Sequence, residues 1–179
     1  MSTIDLIILG ILLQNPMNAY ELTRFIDDKQ VGRLLKISKP AVYKCCKRLF
    51  KAGYLDGETV REGEMPEKVI YSVNQKGKDR FYELMEHFSG NINPFYFEFN
   101  SFLWNIDRLE KTKALEMLEN LKAQMQEMKD WIIQHEKEVS SSIVFPARTI
   151  IKQYRMMVIT LVTWIEETID DYKRDHKIG

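Results

Sequence analysis

The sequence has few cysteines, no long apolar run and no excess of either charge. Its two cysteines, Cys45 and Cys46, are adjacent, so they cannot supply a disulfide framework or a cysteine-type zinc site. The longest uncharged stretch, residues 6–20, is too short to span a bilayer and contains Asn15 and Pro16. No basic segment precedes it, so we expect no signal peptide and a cytoplasmic protein in a reducing compartment.

Motifs typical of enzymes and metal sites are also missing. His87, His135 and His176 lie in separate segments, with no second ligand at a spacing that suits a metal ion. There is no glycine-rich phosphate loop, no Gly-x-Ser-x-Gly sequence and no pairing of cysteine with histidine. We therefore expect a protein that is not an enzyme and that has no metal and no cofactor.

Basic and acidic residues are equal in number, 26 each, but they are unevenly distributed. Residues 29–51 contain eight basic residues and no acidic one, whereas residues 56–67 are mainly acidic. A local basic segment in a neutral protein favours contact with a polyanion through one surface. The alternative is that these side chains form an ordinary solvated helix face.

The glycines divide the chain into two parts. Seven of the eight lie between Gly10 and Gly90. We therefore predict short elements joined by turns in residues 1–90, and a helical domain in residues 91–179.

The first part begins with two predicted helices. Thr3 is a candidate cap for a helix that ends near Leu13. Asn18 and Glu21 have the spacing of a capping box, which opens a second helix. The side chains of this helix predicted to face the core are Tyr20, Leu22, Phe25 and Ile26.

A third predicted helix, residues 39–52, is amphipathic. Ser38 precedes it as a cap, and Pro40 lies in its first turn. At about 100° per residue, its later basic residues share one face and its apolar residues the opposite face, with Tyr43 between them. A helix that enters a DNA major groove needs this arrangement, because cations neutralise phosphates while polar groups reach base edges.

Two predicted strands follow this helix, after Gly53 as its C-terminal cap. The first begins at Tyr54, the second covers residues 69–73, and a turn-prone segment separates them. Asn74 then caps a fourth helix that ends near Ser89. The predicted fold class is mainly α with a small two-stranded β wing, that is, an N-terminal winged helix-turn-helix followed by long C-terminal helices.

The order of motifs in residues 4–80 resembles the PadR family of bacterial transcriptional regulators. The matching segments are residues 9–12 (LGIL), 15–22 (NPMNAYEL), 42–49 (VY, then KRL), 52–55 (AGYL) and 71–77 (YSVNQKG). The resemblance implies a homodimeric winged-helix regulator, most often a repressor, whose C-terminal helices form the dimer.

Two features depart from the family pattern. The family usually has threonine at the position of Asn74, and either residue can cap a helix. The family's wing usually carries basic residues near its tip. Here Arg61 and Lys68 are surrounded by four glutamates, Glu58, Glu62, Glu64 and Glu67.

The second part is predicted to be a dimerisation domain. Asp107 is a candidate cap for a helix that ends near Val139, residues 140–146 interrupt it, and a final helix covers residues 147–173. The apolar stripe of the first helix comprises Ala114, Leu118, Leu121, Met125, Met128, Ile132, His135 and Val139, in a coiled-coil spacing. Because one chain offers little surface to cover both stripes, we expect a second copy to cover them in a two-fold dimer.

An aromatic segment connects the two parts. Phe95, Phe99, Phe102 and Trp104 could line a pocket for a planar apolar effector at the junction of the domains. The alternative is that they form a hinge core. Similarly, Cys45 and Cys46 are interpreted as small buried hydrophobic residues, with a thiol switch as the alternative.

Together these features predict a homodimeric, sequence-specific DNA-binding repressor that a small aromatic effector releases from an inverted-repeat operator. The alternative is a winged-helix module that mediates protein–protein interaction without binding DNA. The predicted DNA-binding residues are Lys36, Ser38, Lys39, Tyr43, Lys44, Lys47, Arg48, Lys51, Arg61 and Lys68.

Overall fold

A computed structural model describes residues 2–28, 35, 37–61, 67–139 and 144–177. The chain divides into two compact units, Met1–Pro94 and Phe95–Gly179. The first is a winged helix with a small antiparallel sheet, and the second contains two long helices that pack together. This architecture confirms the predicted fold class.

The first helix, α1 (Thr3–Gln14), forms the centre of the first unit. Its cap residue is Ser2 rather than the predicted Thr3, and the Ser2 side chain makes no capping hydrogen bond. Instead, the backbone amide of Asp5 donates to the carbonyl of Ser2 at 3.1 Å. Ile8, Leu9 and Leu12 are buried, so this short apolar helix packs into the core of the unit.

The capping box at Asn18 is confirmed. Asn18 Oδ1 accepts hydrogen bonds from the amides of Tyr20 and Glu21, both at 3.0 Å, and Glu21 Oε2 accepts from the amide of Asn18 at 3.0 Å. These bonds satisfy amides that the first turn of α2 (Ala19–Asp28) would leave unpaired. Leu22 and Ile26 are buried as predicted.

The prediction that Tyr20 faces the core is wrong. Its side chain is 61% exposed. It lies in the first turn of α2, outside the buried stripe that Leu22 and Ile26 define, and Thr23 occupies a buried position instead. The hydroxyl of Thr23 donates to the carbonyl of Ala19 at 2.8 Å, which satisfies this buried polar group.

The sheet has three strands in the order β1–β3–β2: β1 (Met17–Asn18), β2 (Leu55–Val60) and β3 (Lys68–Val73). Both pairings are antiparallel, and the β2–β3 hairpin stays in register from Leu55 opposite Val73 to Val60 opposite Lys68. The hairpin agrees with the two predicted strands. The third strand, β1, was not predicted because two residues are too few to show an alternating pattern.

Helix α3 (Lys39–Lys51) is followed by a left-handed turn at Gly53, whose φ is 76°, as expected for a C-terminal cap. Helix α4 (Gln75–Gly90) begins at Asn74, whose Oδ1 accepts from the amide of Gly77 at 3.0 Å. The Asn74 side-chain amide also donates to the Gly53 carbonyl at 3.1 Å and to Asp56 Oδ1 at 3.0 Å. One side chain thus links the end of α3, the start of β2 and the first turn of α4.

In the second unit, the first long helix begins later than predicted. Asp107 does not cap it, because residues Ile106–Arg108 form a separate 3-10 turn, after a short helix α5 (Asn100–Leu103). The long helix α6 covers Lys111–Val139. The last helix, α7 (Phe145–His176), instead begins two residues earlier than predicted. Its Pro146 lies in the first turn, where a proline costs no amide partner.

Helices α6 and α7 cover much of each other's apolar surface within one chain. Their shared core consists of Ala114, Leu118, Met125, Val162, Ile165, Ile169 and Tyr172. Three ion pairs between the helices, Lys122–Glu166, Glu136–Arg155 and Glu119–Lys173, require an antiparallel arrangement. The expectation that a single chain could not cover these stripes is therefore wrong for most of their length.

Some apolar side chains of the long helices nevertheless remain outside this core. Met117, Met128, Met156 and Ile159 are exposed large hydrophobic residues on α6 and α7. Met128 belongs to the predicted seam but is not buried by α7. Among the described residues, no helix combines the length and the apolar character needed to cross a bilayer.

Candidate nucleic-acid interface

Helix α3 separates most of its apolar side chains from its basic ones. Val42, Cys45, Cys46 and Leu49 are buried against the core of the first unit. Tyr43, Lys44, Lys47 and Lys51 are exposed. At about 100° per residue these four fall within an arc of roughly 100°. The helix is thus anchored by one side and presents three ammonium groups and one phenol on the other.

The start of α3 leaves polar groups accessible. Ser38 is the cap residue, but only its carbonyl takes part, accepting from the amides of Ala41 at 3.0 Å and Val42 at 3.2 Å. Its side chain makes no capping bond and is exposed, so the hydroxyl is accessible to a ligand. Lys36, which was predicted to contribute here, lies outside the described residues.

The basic residues of α3 differ in whether they have acidic partners. Lys39 Nζ lies 2.8 Å from Asp27 Oδ2 on α2, and the hydrogen bond and charge of Asp27 raise the pKa of Lys39. Arg48 pairs with Asp5 on α1. In the part of the chain that the structure describes, Lys44, Lys47 and Lys51 have no acidic partner within ion-pair distance. These three lysines are referred to below as the lysine face.

The Arg48 pair involves a buried carboxylate. Asp5 is 4% exposed and accepts from Arg48 Nη1 on Oδ2 at 2.9 Å, from Arg48 Nη2 on Oδ1, and from Cys45 Sγ on Oδ1 at 3.1 Å. Burial raises the pKa of Asp5, but the hydrogen bonds from Arg48 and Cys45 and the charge of Arg48 outweigh it, so the pKa lies below its usual value. Asp5 is therefore ionised at neutral pH.

Cys45 and Cys46 are free, buried thiols, as the interpretation of small hydrophobic residues requires. Burial raises the pKa of Cys46 to about 11. Burial, together with the hydrogen bond to Asp5 and its charge, raises the pKa of Cys45 further. Because the thiolate is the reactive form, both residues are chemically quiet at neutral pH, which argues against a thiol switch.

This protection can be measured. We expect Cys46 in the native protein to react with a disulfide reagent at pH 8 about 200-fold more slowly than in the unfolded chain, because a pKa near 11 leaves little thiolate. Cys45 should react more slowly still. Peroxide should leave any DNA affinity unchanged, and the variant C45S serves as the control. Rapid labelling of the folded protein would show that these thiols are accessible.

The wing is described only at its base. Arg61 is exposed directly after β2, and Lys68 is half-buried at the start of β3. Glu58 and Glu67 are exposed nearby in sequence, and residues 62–66 lie outside the described residues. The two predicted basic contacts of the wing are therefore at its base, on neighbouring strand ends.

The four aromatic residues predicted to form an effector pocket differ in their environments. Phe99 and Phe102 are partly buried against the core of α6 and α7. The ring of Phe99 stacks on that of Trp164, with centroids 5.7 Å apart, and on Phe97 at 5.1 Å. In contrast, Phe95 and Trp104 are 72% and 87% exposed. The described contacts thus support a packing role for Phe99 and Phe102.

Sequence reasoning missed Asp5 as a residue next to this interface. The signal in the sequence was a single carboxylate inside an otherwise apolar helix, where an unpaired charge is costly to bury. Its partner Arg48 lies 43 residues away, so local spacing could not identify the pair. Among the described residues, no three histidine, cysteine, aspartate or glutamate side chains cluster as metal ligands do.

Comparisons with known proteins agree with the winged-helix architecture. Residues 8–83 match the model of the "Transcriptional regulator PadR-like family". No curated protein matches the chain. Among solved structures, Bacillus subtilis PadR in complex with operator DNA has a TM-score of 0.79 at 16% identity, covering 96% of this chain and 98% of PadR.

Two further structures cover nearly the whole chain. PadR from the same Bacillus species in complex with p-coumaric acid has a TM-score of 0.79 at 14% identity, covering 96% of this chain and 99% of that one. The Vibrio cholerae virulence activator AphA has a TM-score of 0.75 at 15% identity, with coverages of 96% and 99%. At these identities the structural likeness shows the fold alone. The similarity to a sequence family is the match over residues 8–83.

The match over residues 8–83 and the winged-helix fold that surrounds the lysine face confirm the predicted resemblance. The family is not enzymatic, which agrees with the expectation that the chain has no catalytic function. Residues 8–83 match the PadR-like family of transcriptional regulators, and the chain has the winged-helix fold of the solved PadR structures.

Proposed function

We propose that this protein is a homodimeric repressor that binds an inverted-repeat operator through α3 and is released by a small aromatic effector. The observation that carries the proposal is the lysine face, which is exposed, has no acidic partner among the described residues and lies opposite the buried face of the same helix. Its relative in Bacillus subtilis, solved with operator DNA, has the same fold.

In the proposed complex, Lys44, Lys47 and Lys51 neutralise phosphates along the major groove. The hydroxyls of Tyr43 and Ser38 are placed to donate to phosphates or base edges. Lys36 and Lys39 extend the contact beyond the start of α3, and Arg61 and Lys68 would contact the backbone from the base of the wing. Arg48 differs from these residues because its partner is the buried carboxylate of Asp5.

The dependence of DNA affinity on salt tests this function. If at least three lysines per protomer neutralise phosphates in a dimer, the plot of log K against log salt should have a slope of about −5 or steeper. DNA fragments that co-purify with the native protein, identified by sequencing, would supply the operator. A protein that mediates only protein–protein interaction would show no such slope, and this result would contradict the proposal.

The homodimer is proposed because Met117, Met128, Met156 and Ile159 are exposed on α6 and α7. A second copy that covers them would place two winged helices on half-sites about 34 Å apart. Sedimentation should show a dimer at low micromolar concentration. A stable monomer under these conditions would contradict both the dimer and the inverted-repeat operator.

The effector is proposed to be a planar aromatic acid that binds near Phe95, Phe99, Phe102 and Trp104. The related Bacillus subtilis PadR has been solved with p-coumaric acid. Since Phe99 stacks on Trp164, a ligand in this region should change tryptophan fluorescence, and the change should be smaller in W164F. The same compound should release DNA and raise expression of a reporter. No response across a panel of aromatic acids, or activation of the reporter by the protein itself, would contradict this part.

A further inference from the structure

Asp5 is a charged residue in the apolar core of the first unit. It is 4% exposed on α1, one turn before the buried Ile8 and Leu9. Burying an ionised carboxylate is costly unless it is paired and fully hydrogen-bonded. Both of its oxygens have donors in the structure, and these donors come from two residues of α3, Cys45 and Arg48.

Arg48 binds this carboxylate through both terminal nitrogens. Nη1 donates to Oδ2 at 2.9 Å and Nη2 donates to Oδ1, so the planar guanidinium meets the carboxylate as a two-pronged fork. The Arg48 side chain is 54% exposed, whereas that of Asp5 is 6% exposed. The guanidinium therefore lies over the carboxylate at the surface and joins the last turns of α3 to the first turn of α1.

We propose that Arg48 is a positioning residue: its fork on Asp5 fixes the orientation of α3 on α1, and so aims the lysine face, without itself binding a phosphate. This inference rests on the proposed function, because it assumes that the lysine face binds DNA. It distinguishes Arg48 from Lys44, Lys47 and Lys51, with which the sequence alone had grouped it.

Two physical arguments support this division of roles. First, the charge of Arg48 is balanced by a carboxylate within hydrogen-bond distance, so the pair adds little to the potential that attracts DNA. Second, apart from the exposed Lys39–Asp27 pair, α3 is held by apolar contacts of Val42, Cys46 and Leu49, which are not directional. The two-pronged pair is directional, and it therefore sets the rotation of the helix about its own axis.

Four variants separate positioning from phosphate binding. R48K keeps the charge but cannot form the fork, and R48M removes the charge and leaves Asp5 unpaired. The double variant D5L/R48M replaces the ion pair by apolar side chains of similar size, which is often tolerated in protein cores. K47M is the control, because Lys47 belongs to the lysine face. For each we would measure thermal unfolding, operator affinity and the salt slope of that affinity.

If Arg48 is a positioning residue, R48K and R48M should each weaken operator binding about tenfold or more, because the charged hydrogen bonds that orient α3 are broken. The salt slope of R48K should equal that of the parent. D5L/R48M should recover the thermal stability of the parent but bind about as weakly as R48K, with an unchanged slope, because apolar side chains do not restore the directional fork. K47M should instead reduce the slope by about 0.9 for each phosphate that is no longer neutralised.

Other results would overturn the inference. If R48K binds like the parent, or if D5L/R48M shows the reduced slope of K47M, then Arg48 acts as a phosphate ligand. If D5L/R48M binds like the parent, the fork does not orient α3. If D5L/R48M does not fold, the ion pair has no tolerated apolar replacement, and the inference also fails. A parent protein without salt-dependent affinity for DNA would instead contradict the proposed function, so the two failures can be told apart.

Discussion

Reversing the charge of Lys47 is expected to weaken operator binding about 100-fold or more at moderate salt. Lys47 lies near the middle of the lysine face and has no acidic partner among the described residues. K47E would remove one attraction to phosphate per protomer and add one repulsion. At about 1.4 kcal/mol per protomer, affinity for a dimer falls about 100-fold or more. K44E should have a similar effect, and both should act on operator and non-operator DNA alike, as measured by fluorescence anisotropy.

Matched variants distinguish this effect from a general change in net charge. Lys152 is exposed on α7 in the other compact unit, so K152E makes the same change of charge and should leave DNA affinity within about twofold of the parent. Y43F should have a smaller effect than K47E, limited to the bond that its hydroxyl makes. Equal binding by the parent, K44E and K47E would show that another surface contacts DNA.

Replacing Gly77 by alanine is expected to destabilise the winged-helix unit strongly. A Cβ at this position would lie 2.1 Å from the carbonyl oxygen of Tyr54 and 2.7 Å from a methyl carbon of Val73. The first of these is a backbone atom, which cannot move aside without displacing the turn after α3. We expect the unfolding free energy to fall by about 3 kcal/mol, at the upper end of the usual cost of overpacking.

Gly90, at the other end of α4, provides the control. A Cβ there would meet nothing within 4 Å, and alanine favours helices, so G90A should be neutral or stabilising by up to about 1 kcal/mol. The midpoint temperature of thermal unfolding should therefore fall by about 12 °C or more in G77A, and it should stay the same or rise in G90A. If G77A unfolds at the temperature of the parent, α4 does not need its close approach to Tyr54.

The features that sequence reasoning predicted correctly depend on residues close together in the chain. The capping box of Asn18 and Glu21, the left-handed Gly53 and the cap at Asn74 all involve partners within three residues or a single backbone angle. Such interactions are encoded locally, and the residue types that make them are few. The amphipathic character of α3 could be predicted for the same reason, from a fixed period of side-chain positions.

The features that it missed depend on tertiary structure. The pairing of Arg48 with Asp5 joins residues 43 positions apart, and no local pattern reports it. The stripes of α6 and α7 were correctly expected to be apolar, but their spacing does not say whether a neighbour in the same chain or a second copy covers them. Asp107 has the right residue type for a cap, yet it lies in a 3-10 turn, and α6 begins at Lys111.

The links made by Asn74 have a mechanical consequence. Its side-chain amide donates to Gly53 and Asp56, while its Oδ1 accepts from Gly77. A threonine, with one hydroxyl, could cap the helix but could not make both donations. These hydrogen bonds hold the C-terminal end of α3, the start of β2 and the first turn of α4 together as one unit. In the proposed dimer, an effector that weakens operator binding would therefore act by changing the spacing or tilt between the two winged helices, and not by bending α3 within either of them.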